Sequence, residues 1–446
     1  MEYVKRHVSR VMEERRRRER IIALTGARQT GKTTLCERQI PGQWGLPYTS
    51  ISFDDPDERL RFRKAAVPLL ESLTTPLVIL DEVQKFPALF DPLKLVTDRQ
   101  KTRSDGPHPL FLLTGSSQLL LMRNIRETLA GRAAMCHLYP FSLAEVADAS
   151  EKSLLSILWR DLEMPEKEAE KCDILFPEQV RRFQNLRDLH LSWGGYPPVW
   201  QREDAVEKWN WLRDYRKTYL ERDVADVGQV ANIDTFAMAQ KLLCTRAANI
   251  LSVSEISRDL SLAVNTVKRY LNLLTISFQC FLLPPYFENV GKRLVKSPKI
   301  YFPDTGLMKL ILGDYSINQG TFYENWVFGE LLKWKQLQPM EPDLFFYRTG
   351  GGREIDFLLT GVGRMLPIEV KSNDQVSSAD GRNLEAFLKE YTKVAKIGLV
   401  VYPGGELVEI RPHVWAIPDW YMFCGAGSSH QPGKFNLSSS TAPTPP

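Results

Sequence analysis

The run IIALTGARQTGKTTL, residues 21–35, decides the fold. Ile21 to Thr25 form a short apolar stretch, the length of a buried strand and too short for a helix. GARQTGKT, Gly26 to Thr33, follows at once with the spacing GxxxxGK[ST], and the helix-forming TLCERQ comes next. Strand, loop and helix in that order bring the backbone N–H groups of a glycine-rich loop and of a helix N-terminus onto an anionic phosphate chain. Gly26 and Gly31 allow the loop's unusual dihedrals, and Ala27, Arg28, Gln29, Thr30 and Thr34 complete the expected nucleotide-binding stretch. Lys32 is expected to reach the β- and γ-phosphates of ATP, and Thr33 to offer one oxygen to Mg²⁺.

Outward from this loop, residues 21–141 repeat short apolar runs separated by helix-like stretches: IIALTG, SISFDD, PLVILDE, PLFLLTG and MCHLYPF. Such spacing predicts a parallel sheet with crossover helices, an α/β three-layer sandwich of the P-loop NTPase class. PLVILDE ends in Asp81 and Glu82, which places two carboxylates at the carboxyl edge where ligands bind. Asp81 is expected on Mg²⁺, and Glu82 as the general base that activates water. PLFLLTGSSQ ends in Thr114, Ser116 and Ser117, which either sense the γ-phosphate and position water or cap the next helix. Arg132 is read either as an arginine finger, in cis or from a neighbouring copy, or as a surface ion pair.

The chain of 446 residues has room for two to four domains, and with 43% hydrophobic and 25% charged residues it is neither disordered nor fibrous. Its net charge of +4 lies entirely in the first twenty residues, which hold eight Lys or Arg against four Glu. The rest is formally neutral, so any nucleic-acid contact must come from local patches. The basic arm is expected to be separable from the nucleotide site, as an amphipathic helix on the sheet's flank or a phosphate-contacting tail. No apolar stretch is long enough for a membrane span, and the charged start lacks the apolar core of a signal peptide, so a cytoplasmic location is expected. Six scattered cysteines and six unpaired histidines suggest neither disulfides nor zinc.

Six regions are expected: a basic arm (1–20), an ATPase domain (21–149), a helical lid (150–245), a winged-helix-like segment (246–298), a small nuclease-like α/β domain (299–410) and a disordered tail (427–446). In the segment Leu251–Leu274, an amphipathic helix, a short turn and a second helix opening with Asn265 and Thr266 have the form of a helix-turn-helix. Lys268 and Arg269 are its candidate DNA contacts, though a packing bundle fits the pattern too. In REIDFLLTGVGRMLPIEVKS, Asp356, Glu369 and Lys371 have the D…ExK spacing of a metal-dependent nuclease, with Glu324 a possible fourth member. The aromatic residues Trp193, Trp200, Trp209, Trp211, Tyr215 and Tyr219 have helical spacing, which favours core packing over a base-stacking platform.

Taken in order, IIALTGARQTGKTTL, SISFDDPDERLRF, VILDEVQKFP, FLLTGSSQLLL and ETLAGRAAMCHLYPFSLAE, then GGYPPVW, TYLERDVADV, VKRYLNLL, LVKSPKIYFPDTGL and GREIDFLL…LPIEVKS, resemble an AAA-type ATPase family of bacteria and archaea with a C-terminal domain of unknown function. The resemblance spans about residues 21–373. It implies ATP and Mg²⁺ as cofactors, ATP hydrolysis, and a winged-helix plus restriction-endonuclease-like C-terminal half whose partners are DNA, protein or a second copy. The basic arm and residues 150–190 depart from that pattern.

Overall fold

In the computed structural model, residues 3–102, 108–115, 125, 127–165, 177–219, 232–288, 296–313, 315 and 317–425 are described. The tail expected at 427–446 lies outside them. The five apolar runs of the first third become five parallel strands: β1 (Ile21–Thr25), β2 (Tyr48–Ser52), β3 (Leu77–Asp81), β4 (Leu110–Thr114) and β5 (Ala133–His137), in the spatial order β2-β3-β4-β1-β5. Every side chain of β1 and β4 is buried, because helices cover both faces. Ile21, Ala23, Val78, Leu80, Phe111 and Leu113 pack to one side, and Ile22, Leu24, Leu77, Ile79 and Leu112 to the other. This is the P-loop NTPase sandwich that the strand spacing predicts. β2 starts and ends earlier than SISFDD suggests, and it stops at Ser52 because Asp55 is the N-cap of helix Pro56–Glu71, accepting from Asp57 N at 2.8 Å.

The basic arm is not a separate appendage. Helix Val8–Arg16 buries Val8 and Met12, one turn apart, in the core between the sheet and the helices that follow the phosphate loop. Arg16 lies over the Trp44 ring at 4.9 Å and pairs with Glu13 at 2.7 Å, so much of the local charge is spent within the arm itself.

Beyond residue 141 the chain builds one large core from helices Leu154–Asp161, Pro177–Trp193, Ala205–Thr218, Ile233–Cys244, Thr305–Leu312 and Gln319–Lys335. Trp211 stacks on Tyr215 with centroids 5.2 Å apart, and Tyr196 closes on both, so these aromatics are core; Trp209 alone of the group is exposed. Helices Val253–Asp259 and Val264–Ile276 form the expected helix-turn-helix, and the antiparallel pair β6 (Phe281–Leu283) and β7 (Lys299–Tyr301) follows. KIYFPDTG thus pairs with the helix-turn-helix segment's own strand, not with the C-terminal sheet, where the expected boundary at 299 had put it.

That sheet has six strands: β8 (Asp343–Arg348), β9 (Glu354–Gly361), β10 (Arg364–Val370), β11 (Gly398–Tyr402), β12 (Val408–Arg411) and β13 (Val414–Pro418), ordered β12-β13-β11-β10-β9-β8. β8, β9 and β10 form an antiparallel meander, and β10, β11 and β13 run parallel. The sheet therefore runs past the expected limit of 410, and its last strand leads into helix Asp419–Cys424. Among the described residues no helix is long and apolar enough to cross a membrane.

Candidate functional site

The phosphate loop leaves β1 under a roof made by the chain that leaves β5. Leu138 N donates to Thr25 O at 2.7 Å, and a Cβ on Gly26, whose φ is +155°, would stand 2.1 Å from Leu138 O. Only glycine fits there. Gln29 and Gly31 take φ of +63° and +90°, which curls the loop before helix formation starts at Lys32. Thr30 Oγ1 donates to Ala27 O at 2.9 Å and staples the curl. Lys32 is buried, and its Nζ donates to Gly26 O at 3.0 Å and Ala27 O at 2.8 Å, so the ammonium lies across the loop.

The acids of β3 arrive at the same edge. Thr33 Oγ1 donates to Asp81 Oδ2 at 3.1 Å, and Thr114 Oγ1, from the end of β4, donates to Asp81 Oδ1. Glu82 sits in the left-handed region at φ +52°, its N–H donating to Asp81 Oδ1 at 3.0 Å and its carboxylate held by Gln84 Nε2. Gln84 is a contact that the sequence did not single out. A hydroxyl and a carboxylate oxygen at hydrogen-bond distance are hard donors that suit Mg²⁺, which takes only one or two protein ligands when phosphates supply the rest. Ser116 and Ser117 lie outside the described residues.

Arg132 is at the wrong edge for a finger in cis. The register Ile21↔Ala133 through Thr25↔His137 puts it before the start of β5, whereas Gly26 follows the end of β1, a separation of roughly 20 Å along the strands. Its guanidinium pairs with Asp98 at 2.8 Å, as the surface ion-pair reading expected. Lys268 and Arg269 are exposed on the second helix of the helix-turn-helix beside exposed Asn265, while Val267, Tyr270, Leu271 and Leu274 turn inward.

In the C-terminal sheet the antiparallel register Phe357↔Ile368 sets Asp356 beside Glu369, and Asp356 Oδ2 accepts from Val370 N at 2.8 Å. Lys371 Nζ reaches Glu369 Oε1 at 2.8 Å, and Glu324 is drawn in from helix Gln319–Lys335. All four sequence candidates meet. So does one that sequence reasoning missed: Lys299 of β7, whose Nζ lies 2.7 Å from Glu354, 3.4 Å from Glu324 and 3.9 Å from Asp356. No local pattern marks Lys299, since its partners stand 25 or more residues away. Burial, and then the nearby Asp356, push the Glu324 carboxyl up to about 7 and that of Glu369 up to about 8. Glu369 Oε2 is buried with no hydrogen-bond partner among the described residues. Among those residues no group of three or more His, Cys, Asp or Glu is arranged to hold a metal ion. The expected nuclease metal set is thus present as residues, but an ammonium already lies among its carboxylates.

Residues 18–147 match a family model described as an AAA domain, and residues 184–316 and 319–421 match two domains of unknown function (DUF8612 and DUF4143). An uncharacterized protein of Mycobacterium tuberculosis is 28% identical over 405 residues, covering 89% of this chain and 80% of that protein. An uncharacterized protein of Methanocaldococcus jannaschii is 25% identical over 385 residues, covering 84% and 79%. Among solved structures, the Aeropyrum pernix ORC2 protein in its ADP form aligns with 63% of this chain and 89% of that chain at 14% identity and a TM-score of 0.30. The phosphate loop, the acids that face it and the sheet that carries both therefore lie within the stretch that matches the AAA-domain model, followed in the same chain by two stretches that match domains of unknown function.

Proposed function

We propose that the protein is a Mg²⁺-dependent ATPase whose hydrolysis is coupled to rearrangement of its C-terminal half. The observation that carries this reading is the convergence of Lys32, Thr33, Asp81 and Glu82 at one sheet edge, with Thr33 and Asp81 already 3.1 Å apart. Loop N–H groups from Gly26 to Thr34 hold the phosphates, Lys32 counters their charge, and Thr33 with Asp81 hold the metal. Mg²⁺ held there would supply charge neutralisation to the phosphates. Glu82, oriented by Gln84, takes the proton of the attacking water.

Steady-state ATP turnover of wild type beside Glu82→Gln, with and without DNA, tests this. Loss of a general base is expected to slow multiple turnover by roughly 100-fold or more while ATP still binds. Tight ATP binding with near-zero turnover in wild type would instead support a nucleotide-dependent switch that gates a DNA- or protein-binding module. DNA contact by Lys268 and Arg269 predicts that removing both weakens DNA binding and flattens its salt dependence.

A second reading, an ATP-regulated nuclease, is favoured by the meeting of Glu324, Asp356, Glu369 and Lys371. The same preparations incubated with Mn²⁺ and circular DNA decide it: cleavage lost in Glu369→Ala supports it, and uncut DNA in wild type excludes it.

A further inference from the structure

Arg6 belongs to the basic arm, yet it is 4% exposed and touches the phosphate loop. Its Nη1 donates to Thr30 O at 2.7 Å, its Nη2 to Tyr139 O, and its Nε to Glu145 Oε1 at 3.2 Å, while the guanidinium lies 4.8 Å from the centroid of the Phe141 ring. The residue's own backbone is clamped as well. Gln39, on the helical run after the loop, accepts from Arg6 N at 2.8 Å and donates to Arg6 O at 3.0 Å. Glu145 Oε1 also accepts from His7 N at 2.9 Å, and its Oε2 accepts from Ser142 N at 3.0 Å. Burying a guanidinium is costly unless its donors are satisfied, and here they bridge the loop and the stretch after β5 in the planar fork that only arginine offers.

The consequence for the loop follows from peptide geometry. The chain has no cis peptide bonds among the described residues, so the Thr30–Gly31 unit is planar and trans, with its C=O and N–H pointing in opposite directions. Fixing Thr30 O on Arg6 fixes the direction of the Gly31 N–H. That N–H lies inside the GxxxxGK[ST] stretch, where backbone donors meet phosphate, and it belongs to a glycine at φ +90° that would otherwise be free to rotate. A Cβ on Gly31 would have Arg6 Nη1 as its nearest neighbour, at 4.0 Å.

We propose that Arg6 is a positioning residue for the phosphate loop, holding the Thr30 carbonyl so that the Gly31 N–H is presented to the phosphates of the bound nucleotide. This rests on the nucleotide-binding reading above. Glu145 carries the same contact onward: the turn it stabilises, Ser142 to Val146, is gripped from the other side by the C-terminal half, where Leu143 N donates to Glu330 Oε2 at 2.9 Å and Lys333 Nζ donates to Phe141 O at 2.9 Å.

The test is titration of the full chain with ATP and ADP, together with ATPase kinetics, for wild type, Arg6→Ala, Arg6→Lys and Arg10→Ala. Arg10 is on the same arm and pairs with Glu151, so its loss reports on the arm and not on the loop. Loss of a hydrogen bond that orients a donor toward a charged group predicts about 10-fold weaker binding of both ATP and ADP in Arg6→Ala. KM should rise by the same factor while kcat at saturating ATP stays within about threefold, a split that simple loss of folded protein would not produce. Arg6→Lys should recover part of the affinity, since one ammonium reaches one acceptor of the three. Arg10→Ala should bind as wild type does. Folded Arg6→Ala with unchanged affinities, or an equal loss in Arg10→Ala, overturns the proposal. If Arg6→Ala does not fold, wild-type affinity in Arg6→Lys overturns it and weakened affinity supports it. Wild type that fails to bind ATP at all defeats the nucleotide reading itself, which is a separate result.

Discussion

Lys32 and Lys299 are both buried at the edge of a sheet, and their surroundings are built in different ways. At the phosphate loop Lys32 rests on two neutral carbonyls of its own loop, while Asp81 and Glu82 are held by Thr33, Thr114 and Gln84, also neutral. At the C-terminal sheet Lys299 is inserted among Glu324, Glu354 and Asp356, and the charges satisfy one another. Burial lowers the affinity of Lys299 for its proton, but the carboxylates outweigh it and the ammonium is held charged, while Glu324 and Glu369 are pushed up toward neutrality. The same residue types thus hold the curl of a glycine-rich loop at one sheet edge and a cluster of acids around a buried ammonium at the other.

The largest expected effect that would break this contrast is on stability. Lys299→Met removes the cation from several buried acids and should cost about 3–5 kcal/mol in denaturant unfolding, with ATP turnover of the folded protein unchanged. A cost below about 1 kcal/mol would mean that the ammonium is not what holds the cluster.

Next in size is a pH dependence. The Glu369 carboxyl is raised from 4.5 to about 8, so between those values the folded protein holds a proton that the unfolded chain has released. Its contribution is fully present below about pH 4.5 and is lost as pH rises through 8. Unfolding free energy measured from pH 5 to 9 should therefore fall more steeply in wild type than in Glu369→Gln. Parallel curves would show that Glu369 is ionised throughout and that the cluster is not self-neutralised.

The smallest effect belongs to Lys371, whose side chain is 32% exposed and therefore partly screened by water. Lys371→Met should cost under about 1 kcal/mol. A loss matching that of Lys299→Met would extend the self-neutralised cluster to the sheet's rim.

Much of the nucleotide half was legible in the sequence because its signals are local. The apolar runs carry their own period, GxxxxGK[ST] carries its own loop geometry, and the acids of β3 sit at its end by virtue of strand length. Boundaries were less legible: the end of β2 depended on Asp55 capping the next helix, and β7 on which strand it would pair with. For Arg132 the sequence left a finger and a surface ion pair both open, because its edge is set by the register of β5 on β1, which no local pattern encodes. Arg6 was hidden for the opposite reason, as one arginine in a run of basic residues whose other members lie at the surface.

Periodicity, loop chemistry and strand-end acids were determined by the sequence alone, since each depends on residues within a few positions of one another. Tertiary structure decided what each charge meets. Arg6 bonds to Thr30, Tyr139 and Glu145, and Lys299 to Glu324, Glu354 and Asp356, across 24 to 139 positions in the chain. Whether a charged side chain serves a ligand or another side chain depends on the burial and the partner that such long-range packing supplies, because burial without a partner costs more than most folds can offset.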